Sequence, residues 1–169
     1  MALILPYRGV MPTIDPTAFI AENAVIIGDV HIGAESNIWF GCILRGDVHE
    51  IRIGKRTNIQ DGTVIHTTRN VAGSYIGDEV TVGHMSLLHA CTVETNAFIG
   101  MGAIVLDEAV VEGGAMVAAG ALVSPKKRVP KGQLWAGRPA KFMRDLTQQD
   151  LDFFPVSADN YVKLSREYM

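Results

Sequence analysis

The chain has 169 residues, 48% hydrophobic and 20% charged, with 15 Lys+Arg against 18 Asp+Glu and a formal net charge of −3. That length fits one domain with a sizeable core, and the charge balance gives no basic excess to recommend nucleic acid as a partner. No apolar run approaches the ~20 residues that span a bilayer, and Met1 to Leu5 is too short before Pro6-Tyr7-Arg8 to read as a secretory signal, so a cytoplasmic protein with no membrane partner is expected.

In chain order, residues 1–13 read as an N-terminal cap. From Ile14 the chain keeps a six-residue beat through Ile20, Ile26, Ile32, Ile38 and Leu44. A three-residue insertion around Val48 to Glu50 interrupts it. It resumes at Ile53, Ile59 and Ile65, returns at Ile76 and Val82, and runs from Val93 through Ile99, Val105, Val111 and Val117 to Val123. Neither the helical spacing of i, i+3, i+4, i+7 nor a short alternating strand sustains period six over 100 residues. A solenoid does: each hexapeptide makes one short strand and a corner, and three strands close a triangular coil of about eighteen residues. Residues 14–128 then hold roughly six coils. Cys42 and Cys91 fall at small inward positions and do not make a disulfide framework. Trp39 and Phe40 read as packing or subunit contacts, and His31 as lying on a solvated face.

After Pro125 the period is lost. Lys126-Lys127-Arg128 reads as a solvated basic corner opening a loop over 129–146. A helical tail follows over 147–169, with Thr147 as N-cap and Leu146 and Leu151 stapling the entry. Pro155 predicts a break. A second helical piece then covers about 158–168, with Tyr161, Val162, Leu164 and Tyr168 facing the body.

The chemistry-bearing residues are histidines. His66 and His84 are eighteen apart, one coil by the arithmetic, and His89 follows five later. Three neutral imidazoles plus solvent is the donor set of an open zinc site, or of another borderline divalent metal. One chain does not easily aim three diverging corners at one point, and an interface in a trimer solves that. Arg45, Asp47, Asn58, Gln60 and Asp61 stand just ahead of His66. Amides and carboxylates are the groups that orient solvent and hold imidazole tautomers beside a metal; Arg45 with Asp47 also suits an ion pair between subunits.

The run Leu44-Arg45-Gly46-Asp47, Thr57-Asn58-Ile59-Gln60-Asp61, His66, Val82-Gly83-His84 and Leu88-His89-Ala90-Cys91 resembles the gamma-class carbonic anhydrase family of hexapeptide-repeat proteins. The similarity covers almost the whole chain, including Trp135-Ala136-Gly137-Arg138-Pro139-Ala140-Lys141. It implies a left-handed parallel β-helix, a homotrimer, and reversible hydration of CO2 to bicarbonate at zinc, or iron(II), held between subunits. It further implies His66 and His89 as ligands from one chain and His84 from its neighbour. Gln60 then contacts the solvent at the metal, Asn58 lines the substrate pocket, and Asp61 is an acidic residue beside the site. Arg45 and Asp47 tie subunits together, and Tyr161 reaches the pocket from the tail.

Two family features differ. Val48 stands where the archetypal archaeal enzyme has an acidic residue, and its acidic proton-shuttle loop is replaced by Thr67 to Ser74, without a carboxylate. His49 or Glu50 is the substitute on offer for moving a proton to solvent. Two rival functions follow from the same fold: acyl transfer or thioester hydrolysis with coenzyme A, and a non-catalytic metal-binding trimer.

Overall fold

A computed structural model describes all 169 residues. The six-residue beat becomes a parallel β-solenoid with three faces, each stacked from seven strands. One face aligns Leu3, Val25, Ile43, Val64, Leu87, Ile104 and Leu122 in register. The second aligns Thr13, His31, Arg52, Tyr75, Thr92, Val110 and Arg128. The third aligns Phe19, Asn37, Asn58, Thr81, Phe98, Met116 and Leu134. Side chains alternate across a strand, so the beat residues next to these columns point inward. Ile26, Leu44, Ile65, Leu88, Val105 and Val123 form one such inward column, each at most 1% exposed. With the columns of the other two faces they build a single core of 29 buried residues. Each such aliphatic contributes roughly 1.5–3 kcal/mol on burial. Cys42 and Cys91 lie inside this core, and burial pushes both thiols up to about 12.

Seven coils are one more than the beat alone suggests, because both ends join the solenoid. Leu3–Leu5 pairs in parallel with Val25–Ile27, so residues 1–13 open the first coil and are not a separate cap. The expected loop over 129–146 is also corrected. Val129 and Trp135 continue the beat, and Gln133–Ala136 closes the seventh coil on Met116–Val117. The chain then reverses into Lys141–Asp145, an antiparallel edge strand. The indole of Trp135 takes an aliphatic place, and Pro130 and Gly132 around it hide the period. The basic corner is solvated as expected, with Arg128 on Glu112 at 2.7 Å.

Thr147 caps the tail helix through a reciprocal box with Asp150: the Asp150 N–H donates to Thr147 Oγ1 (3.2 Å) and the Thr147 N–H donates to Asp150 Oδ2 (2.8 Å). The helix then runs unbroken from Gln148 to Arg166, through Pro155. Pro155 lies on the exposed side, where solvent can take up the Leu151 carbonyl that its ring leaves unpaired. The opposite side buries Phe154, Ser157, Ala158, Val162 and Ser165 against the third face. Tyr161 and Tyr168 pack edge-on against Trp39, each at 5.5 Å between centroids, whereas Leu164 stays exposed. No helix is long and apolar enough to cross a membrane.

Candidate metal centre

The eighteen-residue arithmetic misplaces the histidines. The segment Thr67–Gly73 bulges out of the coil, closed by a bridge between Thr68 and Ala72, and lengthens that coil by five residues. His66 is therefore stacked in register on His89, twenty-three residues on, and not on His84. Both rings project outward from adjacent strands of the first face, flanking the aliphatic column. His66 Nδ1 and His89 Nε2 face each other at 3.2 Å.

The outer nitrogens decide what that contact means. His66 Nε2 is 3.0 Å from Asp47 Oδ1, and His89 Nδ1 is 2.8 Å from Asp107 Oδ1. A carboxylate only accepts, so each ring must donate there and a neutral ring keeps a bare lone pair on its inner nitrogen. Two lone pairs at this separation repel unless a cation stands between them. Zinc–nitrogen bonds of about 2.0–2.1 Å in a tetrahedral set separate neighbouring nitrogens by about 3.4 Å, so the pair fits one edge of a metal site. Within one chain no third histidine, cysteine or carboxylate completes the cage.

Both carboxylates are held in place. Arg45 donates to Asp47 Oδ2 at 2.6 Å within the chain. The two residues flank Gly46, whose absent side chain lets the strand pass at close range: a Cβ would lie 2.5 Å from the Asp29 carbonyl. Asp107 accepts a short hydrogen bond from the Thr68 hydroxyl on the bulged segment. Burial works to raise both carboxyls, but the bonds from His66 and Arg45 leave Asp47 below the usual range. Those from Thr68 and His89 do the same for Asp107. Sequence reasoning overlooked Asp107 and Thr68. The available signal was that Asp107 follows His89 by eighteen residues, one uninterrupted coil.

His84 occupies a different corner. Its Nδ1 is 2.8 Å from Asp61 Oδ2, and with Gln60, Phe98, Met101, Phe153 and Tyr161 it lines a cavity of about 350 Å³ beneath the tail helix. Asn58 lies behind Gln60 and is not among the residues that line that cavity. It is fully buried, accepts from Gln60 Nε2 at 2.9 Å and donates to Thr81 Oγ1 at 2.9 Å. The Thr81 hydroxyl meets Ser157 of the helix at 2.9 Å. Gln60 is thereby fixed with Oε1 as its unengaged end. Burial, then the Asp61 charge, raises the Tyr161 hydroxyl. Of the candidate shuttles, the Glu50 carboxylate is taken by Arg52 and by the Tyr75 hydroxyl at 2.8 Å. His49 lines a second cavity, of about 390 Å³, with Arg8, Asp47 and Arg69.

No protein-family model matches the chain. It is 51% identical over 160 residues to gamma carbonic anhydrase 2, mitochondrial, of Arabidopsis thaliana, covering 92% of this chain and 58% of that one. The chain thus spans less than two thirds of that plant relative. It is 45% identical over 166 residues to a carbonic anhydrase of Geobacillus kaustophilus, covering 98% and 91%. Among solved structures, a hexapeptide transferase family protein from Anaplasma phagocytophilum superposes with a TM-score of 0.96 at 54% identity, covering 99% and 98%. A Bacillus cereus protein described as a putative acetyltransferase does so with a TM-score of 0.96 at 42% identity, covering 99% and 96%.

Proposed function

The chain belongs to the gamma-class carbonic anhydrase family, and from that membership we propose that it catalyses CO2 + H2O ⇌ HCO3⁻ + H⁺ at a divalent metal held between the copies of a homotrimer. The observation that carries this reading is the 3.2 Å approach of His66 Nδ1 and His89 Nε2 with both outer nitrogens committed to carboxylates. Two such imidazoles are half of a tetrahedral set, and His84 of a neighbouring copy supplies the third ligand. The bare aliphatic column of the first face supports the assembly: Ile43 and Leu87 are 39% and 36% exposed on the face that carries His66 and His89. A head-to-tail contact between that corner and the His84 corner closes into a ring. Imidazole donors suit zinc, with iron(II) as the alternative.

A divalent cation held there supplies the Lewis acidity that makes water a nucleophile near neutral pH, a role for which carbonic anhydrase is the standard example. The protein's own groups do the rest. Asp47 and Asp107 keep the ring protons on the outer nitrogens, so the lone pairs point inward. Gln60, held by Asn58, offers Oε1 to accept a hydrogen bond from the attacking water and orient it. Phe98, Met101 and Phe153 give CO2, an uncharged and weakly polar substrate, an apolar approach. His49 carries the released proton, since the bulged segment has no carboxylate to do so.

Stopped-flow CO2 hydration by protein loaded anaerobically with iron(II), and separately with zinc, tests this reading, with His84→Ala alongside. Turnover that is lost in His84→Ala is the expected result. Saturable turnover of acyl-coenzyme A instead, lost in the same variant, would favour acyl transfer or thioester hydrolysis. Fully loaded protein with neither activity would leave a metal-binding assembly.

A further inference from the structure

We infer that Asp107 and Thr68 act as a two-residue clamp that fixes the metal-binding tautomer of His89, and that the bulged segment Thr67–Gly73 serves this chain as an anchor for that clamp. The inference rests on the metal-site reading of His66 and His89. Asp107 Oδ1 accepts from His89 Nδ1 at 2.8 Å, and its other oxygen is occupied by the Thr68 hydroxyl. Both oxygens are therefore used, one on the ring and one on the bulge. Without the Thr68 bond the carboxylate is free to rotate about Cβ–Cγ and leave the ring. A neutral imidazole released from Asp107 distributes its proton between Nδ1 and Nε2, and the second form puts N–H where the lone pair must point.

The fold gives the clamp its reach. Asp107 follows the strand Ile104–Val105 in the coil above His89, at a corner that the bulge overhangs from the coil below. Thr68 and Asp107 are thus brought together across two coils at 39 residues' separation. His66 has a separate guard, Asp47, itself held by Arg45. The two ligand candidates are tautomerically fixed by independent devices, and removing one leaves the other intact.

The test uses the full chain, stripped of metal with a chelator and then titrated with zinc in competition with a chromophoric chelator. Orienting partners of this kind contribute about 10–100-fold in metal affinity. Asp107→Ala is expected to weaken zinc binding by roughly that factor, Asp107→Asn by less, and Thr68→Val by about 3–10-fold, with Thr68→Ser restoring the wild-type value. The metal-free variants are expected to melt within about 3 °C of metal-free wild type, since Asp107 is partly exposed and lies outside the core. A structural role would lower that melting temperature and leave the affinity ratio alone. Asp107→Ala and Thr68→Val binding zinc within two-fold of wild type, while His66→Ala and His89→Ala lose it, would overturn the clamp and leave the metal site standing. His66→Ala and His89→Ala binding zinc like wild type would overturn the metal site, and the clamp with it.

Discussion

Two outward faces of the solenoid differ in what they carry and in what covers them. On the third face, Phe19, Asn37, Asn58, Thr81 and Phe98 lie beside the tail helix, and every buried polar atom finds a partner, down to the Thr81–Ser157 hydroxyl pair. On the first face, Leu3, Ile43 and Leu87 are exposed, and the inner nitrogens of two imidazoles face each other at 3.2 Å. The same repeat made both. The difference is that one face has its cover encoded further along the chain, and the other presents exposed aliphatics and a facing pair of imidazoles. A monomer would have to expose those aliphatics to water.

The comparison breaks most completely if the bare face is charged. Ile43→Glu with Leu87→Glu places carboxylates into an apolar contact without partners. The expected outcome by light scattering is a fall from three chain masses to one, with hydration activity lost by at least ~100-fold. A pair of charges that left the mass unchanged would mean that this face is not the interface. On the covered face the converse holds. Phe154 is 3% exposed and stacks on Phe98 at 5.3 Å, so Phe154→Ala is expected to cost about 3–5 kcal/mol in denaturant unfolding with no change in mass.

The smallest effect concerns pH. Asp47 sits below its ordinary carboxyl value because His66 and Arg45 together outweigh burial. A depressed carboxyl contributes stability that is full above the unfolded value, near 3.8, and is lost as pH falls through the lower folded value. The difference in melting temperature between wild type and Asp47→Asn should therefore be present at pH 5 and close below about pH 4. A difference that grew as the pH fell from 5 through 4 would reverse the assigned sign.

Much of this was legible in the sequence because a solenoid writes its packing into its period. Ile26, Leu44, Ile65, Val105 and Val123 could be read as inward beat residues before any coordinate was known, and their burial follows. What escaped had physical reasons. The bulge at Thr67–Gly73 shifts the phase by five, so counting eighteen from His66 reached His84 and passed over the stacking on His89. Trp135 kept the beat in an aromatic disguise between turn residues, so the last coil looked like loop. Pro155 suggested a break where the helix instead turns the proline to solvent. Asp107 was invisible because a corner aspartate in a β-solenoid is ordinary, and only the ring it faces gives it a role. The bond by which buried Asn58 holds Gln60 follows from the fold and could not be read from the motif.

The central claim is that one site draws residues from two copies, and a mixing experiment tests it most directly. His84→Ala alone and the double variant His66→Ala/His89→Ala should each be inactive and bind metal poorly. Unfolded together in equal amounts and refolded, they form mixed assemblies in which about a quarter of the sites pair an intact His66–His89 corner with an intact His84. The account predicts that hydration activity and bound zinc both return to roughly that fraction of wild type. Recovery of neither, from mixtures shown to contain both chains in one assembly, would contradict it.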